Sequence, residues 1–196
     1  MTEAVRVGEV IEAATTGYAA QCYELYDLPP LGSLVRTRDG DIDLFGVVYQ
    51  ALTASFESGR RPIARGRDEA SQEAVYAANP QLSKLLRSEF NVLVVGHRRN
   101  GVLRHYLPPA PARIHGFVYL CPANEVRDFS EEFGFLNILV GTPLPVASDE
   151  IIAAAVRQMS RAHEDSHGFL VEAGKELAGL LSHDFVQLKS ILGRLE

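Results

Sequence analysis

The chain has 196 residues, 46% of them hydrophobic and 22% charged, with a formal net charge of −6; this is the make-up of a globular protein with one sizeable domain and room for a helical appendage. No apolar run approaches the ~20 residues that span a bilayer, and the opening Met-Thr-Glu-Ala-Val-Arg-Val-Gly-Glu lacks the basic and then apolar pattern of a signal peptide, so a cytoplasmic chain without a membrane partner is expected. Residues 1–124 hold 13 basic and 13 acidic side chains while residues 125–196 hold 6 and 12, which gives the C-terminal part the wrong sign for a nucleic-acid surface. Cys22 and Cys121 fall in predicted strands and read as buried, reduced thiols.

Strands are predicted over residues 5–14 and 18–25, separated by Thr15-Thr16-Gly17. Two more, over 33–37 and 42–53, flank Asp39-Gly40, a strong hairpin signal because both residues tolerate positive φ. Gly46 interrupts the second of these, as at a bulge in a strongly curved sheet. After the polar, Arg-rich residues 58–67 a short helix is predicted over 68–78. Asn79-Pro80 then suggests an N-cap and first helical position for another helix, through about residue 87. Strands over 91–98 and 102–107 flank Asn100-Gly101, a type I′ signature. Pro108, Pro109 and Pro111 have no N–H to give an inner strand. They form a strap that delivers a last strand over 114–120.

The periodicity changes beyond this block. Residues 125–147 read as a connecting segment containing one short strand, 136–140. Ser148 is a candidate N-cap, with Asp149 and Glu150 in the first turn of a helix whose Ile152, Val156 and Met159 share a face. A break near Gly168 separates it from a longer helix reaching Leu195. There Leu170, Gly174, Leu177, Leu181, Asp184, Leu188, Ile191 and Leu195 form a heptad-type seam. The expected fold class is therefore a small closed β-barrel over 1–124 with a helical insertion at 68–87, joined by 125–147 to a C-terminal helical hairpin or tail, 148–196.

The order of these features resembles the N-terminal barrel shared by HerA-type DNA-translocating ATPases and the rotary ATP synthase subunits. The resemblance runs over roughly residues 5–122. It rests on Val7-Gly8-Glu9-Val10-Ile11, on Asp43-Leu44-Phe45-Gly46-Val47-Val48, on the inserted helical stretch and the strand after it, and on Pro108-Pro109-Ala110-Pro111 before His115-Gly116-Phe117-Val118-Tyr119. It implies a non-catalytic barrel that docks partners, a nuclease among them in the DNA-translocating branch. The ATPase core is missing: Gly168 to Glu176 has one residue too many between its glycines, and Glu176 stands where a P-loop needs Ser or Thr. The function expected is an assembly or adaptor module, acting through protein partners, with self-association in view and no cofactor.

Two other readings compete. His163-Glu164-Asp165-Ser166-His167 is an H-E-x-x-H, which on a helix would aim His163 and His167 at a zinc ion with Glu164 as general base. Against a hydrolase, Asp165 puts a charge where such helices bury apolar residues, and no third ligand is marked. Arg60 and Arg61, with Arg65 and Arg67, and Arg98, Arg99 and Arg104 near the Asn100 turn would suit a phosphate-binding barrel face, although aromatic residues are scarce beside them. Asp39, Asp41 and Asp43 read as the solvent face of a hairpin. Phe129, Phe133, Phe135 and Leu136 read either as core covering the barrel or as a partner surface.

Overall fold

The computed structural model describes residues 4–57, 59 and 61–195. Seven strands, β1 (Val5–Ala14), β2 (Gly17–Gln21), β3 (Leu34–Asp39), β4 (Ile42–Ser55), β5 (Leu86–Arg99), β6 (Val102–Arg104) and β7 (Phe117–Leu120), make one antiparallel sheet. Its order is β2-β1-β7-β3-β4-β5-β6, and β2 also pairs with β5. Six strands therefore close into a barrel, and β6 extends β5 as a short hairpin arm. Closure leaves few unpaired backbone groups at sheet edges.

The last barrel strand is the one the proline strap delivers. β7 slots between β1 (Glu9↔Phe117) and β3 (Thr37↔Val118). It is shorter than the predicted 114–120, because His115 takes a positive φ of 66°; His115 N–H still donates to Val10 O at 2.9 Å and Gly116 O accepts from Val10 N–H at 2.9 Å. The turns behave as their residues dictate. Asn100 and Gly101 both have positive φ, 52° and 77°, as a type I′ turn requires, while only Gly40 does so in the other hairpin. At Gly46 the β4–β5 register slips. A Cβ there would lie 2.8 Å from Leu93 O, so the bulge and the close strand approach both select glycine.

Alternation along the strands divides the apolar residues between two cores. Val10, Val35, Leu44, Val48, Phe90 and Val92 fill the barrel. Their neighbours Leu34, Phe45, Val47, Leu93 and Val95 point outward, yet each is almost fully buried. Helices cover them: α3 (Ala123–Ser130), α4 (Phe135–Gly141), α5 (Ser148–Ser160), α6 (Ser166–Leu180) and α7 (Phe185–Leu192). α5 is the hub of this layer, touching α3, α4, α6, α7 and β3, with Ile151 through Val156 all buried. Two short helices, α1 (Gln72–Ala78) and α2 (Leu82–Leu85), lie in the β4–β5 connection.

Several local expectations change. Asn79 caps the C-terminus of α1, its side-chain N–H donating to Val75 O at 2.9 Å, instead of starting the next helix. Residues 136–140 are helical, since Phe135, Leu136 and Leu139 all reach the core on one helix face; a short apolar run cannot distinguish strand from helix by pattern alone. The break before α6 falls ahead of Gly168, at Asp165, whose carboxylate accepts from Gly168 N–H at 2.8 Å. The tail is three helices, because Asp184, the charged residue in the predicted seam, caps α7 by accepting from Gln187 N–H at 2.9 Å. The seam's Leu177, Leu181, Leu188, Ile191 and Leu195 are buried in the chain's own core.

Gly32 fastens barrel to helices. Its φ is +80°, its N–H donates to Val48 O at 2.8 Å, and a Cβ would lie 2.5 Å from Ala155 N in α5. Gly32→Ala therefore adds a backbone clash to the ~1–2 kcal/mol of a left-handed alanine. It should cost about 1–3 kcal/mol more than Gly40→Ala, whose φ is +59° in open space. Paired urea melts of the two variants measure that gap, and equal costs would refute the close approach.

Candidate functional site

The helical layer leaves outward residues of β1 and β7 in solvent. Ile11 is 41% exposed, Phe117 45%, and Tyr23, just beyond β2, 49%. Strand pairing gathers part of this surface into one cluster. The Arg6 guanidinium carbon lies 4.9 Å from the Tyr23 ring centroid and 4.8 Å from that of Phe117, a cation between two aromatic rings. Tyr23 O–H donates to Glu9 Oε2 at 3.2 Å, and His115 Nδ1 lies 2.5 Å from Glu9 Oε1. The hydrogen bond to His115 holds the Glu9 carboxyl below its ordinary range. Next to this group, Arg36 lies over Tyr119 at 5.3 Å and donates to Glu125 at 2.8 Å.

This arrangement activates no nucleophile. It presents rings, a cation and hydrogen-bonding groups already held in place, which is the chemistry of a contact surface: little side-chain freedom remains to be lost when something docks. Its members are 94 residues apart at Tyr23 and Phe117, so no local motif marks it. The available sequence signal was parity, since Phe117 and Tyr119 must face away from the barrel if Val118 faces in.

The H-E-x-x-H is not a helical motif here. His163 and Glu164 lie in the turn between α5 and α6, while His167 is in the first turn of α6. Asp165 separates them as the N-cap, so the two imidazoles do not share a helix face. His163 stacks on Phe169 at 4.2 Å and shares a hydrogen bond with Ser130 at 2.8 Å. Ser130 O–H donates to Val126 O at 2.7 Å, so His163 Nε2–H is the donor to Ser130 Oγ. With its proton on the backbone and its side chain buried, Ser130 is not poised as a nucleophile either. Glu164 and His167 are exposed. Among the described residues no group of three or more His, Cys, Asp or Glu could hold a metal ion.

Among the described residues the arginines do not assemble into a free basic face. Arg60 lies outside the described residues. Arg61 lines a small cavity with Pro62 and Ile63. Arg98 pairs with Asp128 and lies 5.2 Å over Phe45. Arg99 donates to Asp41 at 3.0 Å, and Arg104 donates to Val102 O at 3.4 Å. Asp43 and Asp39 are matched in turn by Arg38 at 3.6 Å and Arg113 at 3.7 Å. Phe129, Phe135 and Leu136 are fully buried and Phe133 packs against them, with Phe129 5.1 Å from Phe45; they are the core between barrel and helices and not a partner surface. Both cysteines are buried and free. Burial pushes the Cys22 thiol up to about 11 and Cys121 up as well, so neither is a ready thiolate.

Two histidines couple this core to pH. His105 Nε2–H donates to Phe129 O at 2.9 Å, between the rings of Phe129 and Phe135. Burial lowers its pKa from 6.5, opposed by the Phe129 bond and by Glu132. Burial also lowers that of His163, helped by Arg127. Below 6.5 the unfolded chain thus binds more protons than the folded one, so this stability is present above 6.5 and is lost as pH falls toward the folded values. Thermal melting temperatures should drop between pH 7.5 and 5.5, and the drop should shrink in His105→Gln/His163→Gln. An unchanged slope in the double variant would contradict the assignment.

No protein-family model matches this sequence, and a search of curated proteins also finds no match.

Proposed function

We propose that the chain is a non-catalytic assembly module that works through protein contacts made by the bare face of β1 and β7. One observation supports this above the others: the preordered cluster of Arg6, Tyr23 and Phe117 on a closed barrel whose opposite wall is covered by the chain's own helices. Aromatic residues and Arg dominate the binding energy of protein interfaces when they cluster. Tyr23 and Phe117 do so while about half exposed.

The likeness to the HerA and ATP synthase barrel belongs to this reading. In that family the barrel docks partners and does no chemistry, which makes a DNA-processing translocase or nuclease the partner class to test first. Self-association, if it occurs, would also use the barrel face, because the heptad-type seam is buried within the chain. The nucleic-acid alternative loses its support, since Arg98 and Arg99 are paired with Asp128 and Asp41.

A photo-crosslinking residue placed at Phe117 should capture one defined protein in the native cell, while the same residue at exposed Ala178 should not. With that protein purified, Tyr23→Ala/Phe117→Ala should weaken binding more than tenfold, in keeping with more than ~1 kcal/mol for each anchor, and leave the melting curve in place. Equal capture at both sites, or full affinity in the double variant, would reject the proposal.

A further inference from the structure

Where the helical layer ends, a cleft of about 290 Å³ opens between the barrel's outer wall and residues 142–145. Its origin is legible in the residues. Ala14, Gly17 and Ala19 lie on the outer wall and carry no bulk. Pro143, Leu144 and Pro145 run opposite them as a stiff strap with Leu144 tucked against the core. The volume is at the lower limit of small-molecule sites.

Glu12, Tyr49, Asn91, Thr16 and Thr142 supply the polar side chains of this cleft, and among the described residues no Lys, Arg or His lines it. The Asn91 side-chain N–H donates to Gln50 Oε1 at 3.3 Å, which leaves its carbonyl oxygen as an acceptor. Neither the Glu12 carboxylate nor the Tyr49 hydroxyl has a hydrogen bond or ion pair among the described residues. Glu12 stands apart in this respect. The other carboxylates of the barrel strands are all matched: Glu9 by His115, Asp39 by Arg113, Asp43 by Arg38 and Glu89 by Arg87. Burial, and then the charge of Glu12, raise the Tyr49 phenol, in accord with a carboxylate beside a partly desolvated ring.

We infer that this cleft binds an alkylguanidinium or alkylammonium group, the cation at Glu12 and against the Tyr49 ring, the alkyl stem between Ala19 and Leu144. A carboxylate, an aromatic ring and a carbonyl acceptor suit a cationic donor, the apolar strap suits its stem, and the absence of a basic lining residue disfavours an anion. The group comes either from a free amine or from an Arg or Lys side chain of a protein. The inference does not depend on the assembly reading, because it is tested on the isolated chain.

The test is an NMR titration of the labelled full chain with agmatine, with the peptide acetyl-Gly-Arg-Gly-amide, and with butyrate. Because Glu12 is solvent-exposed, a dissociation constant on the order of 1 mM is expected for a guanidinium probe, about −4 kcal/mol, with shifts at Thr16, Ala19 and Asn91. Butyrate should not bind. Tighter binding of agmatine points to a free amine, tighter binding of the peptide to a partner's side chain. Glu12→Gln should weaken the guanidinium probes at least fivefold by removing the charge. Ala19→Leu should do so by filling the space with all charges kept. The inference falls if neither guanidinium probe saturates, if butyrate binds equally, or if either variant binds as the native chain does.

Discussion

The rest of the molecule depends on β4 and β5 being apolar on both faces. In a small antiparallel barrel one face of each strand fills the interior and the other ordinarily meets water. Here Leu44 and Val48 point inward while Phe45 and Val47 point out; Val92 and Val94 do the same against Leu93 and Val95. Leaving four large outward side chains wet would forgo about 1.5–3 kcal/mol for each, so this wall must be covered. The C-terminal third of the chain does it, with α5 laid against β3 and packed on every other helix of the layer. At Gly32 that contact is backbone against backbone, with no room for a Cβ.

Polar residues then set where the covering helices stop and start. Asp165 and Asp184 each accept a backbone N–H from the residue three places on, and each converts what would be a continuous helix into two that can turn along the curved wall. The same two aspartates are the residues that make the sequence misleading. Asp165 sits inside the H-E-x-x-H and breaks it. Asp184 sits inside the heptad-type seam and divides it between α6 and α7. In both cases a charged residue inside the motif is the N-cap that divides it.

Much of the barrel was legible because its signals are local. Strand β1 matches its predicted limits, Asn100-Gly101 forms the turn its residues require, Gly46 marks a bulge, and the proline strap leads to the closing strand. The helical layer was less legible. Residues 136–140 give equal support to strand and helix until the position of the Phe45 wall decides between them, and Phe129 and Phe135 look like an interface until that wall is seen behind them. The exposed aromatic cluster was not legible at all. Arg6, Tyr23 and Phe117 come from the first, second and last barrel strands or their ends, and only the β1–β2 and β1–β7 registers bring them together. The arginine clusters misled for the converse reason: sequence shows basic residues grouped along the chain, but the acids that neutralise Arg98 and Arg99 arrive from α3 and from the other hairpin.

That pairing decides what sort of partner the barrel can attract. Long-range capture of a polyanion needs unmatched positive charge, and Arg38, Arg98, Arg99 and Arg113 each have a carboxylate within 4 Å. With the acidic excess confined to residues 125–196, the helical side repels phosphate and the barrel side offers little net field. What the bare face offers is short-range: ring area, the Arg6 cation and the Glu9–His115 hydrogen bond. Those terms reward shape, and shape is what a closed barrel holds fixed. The covered wall and the bare face follow from one pattern, because outward residues are buried where the helices lie, at Phe45 and Leu93, and half-exposed where they do not, at Phe117.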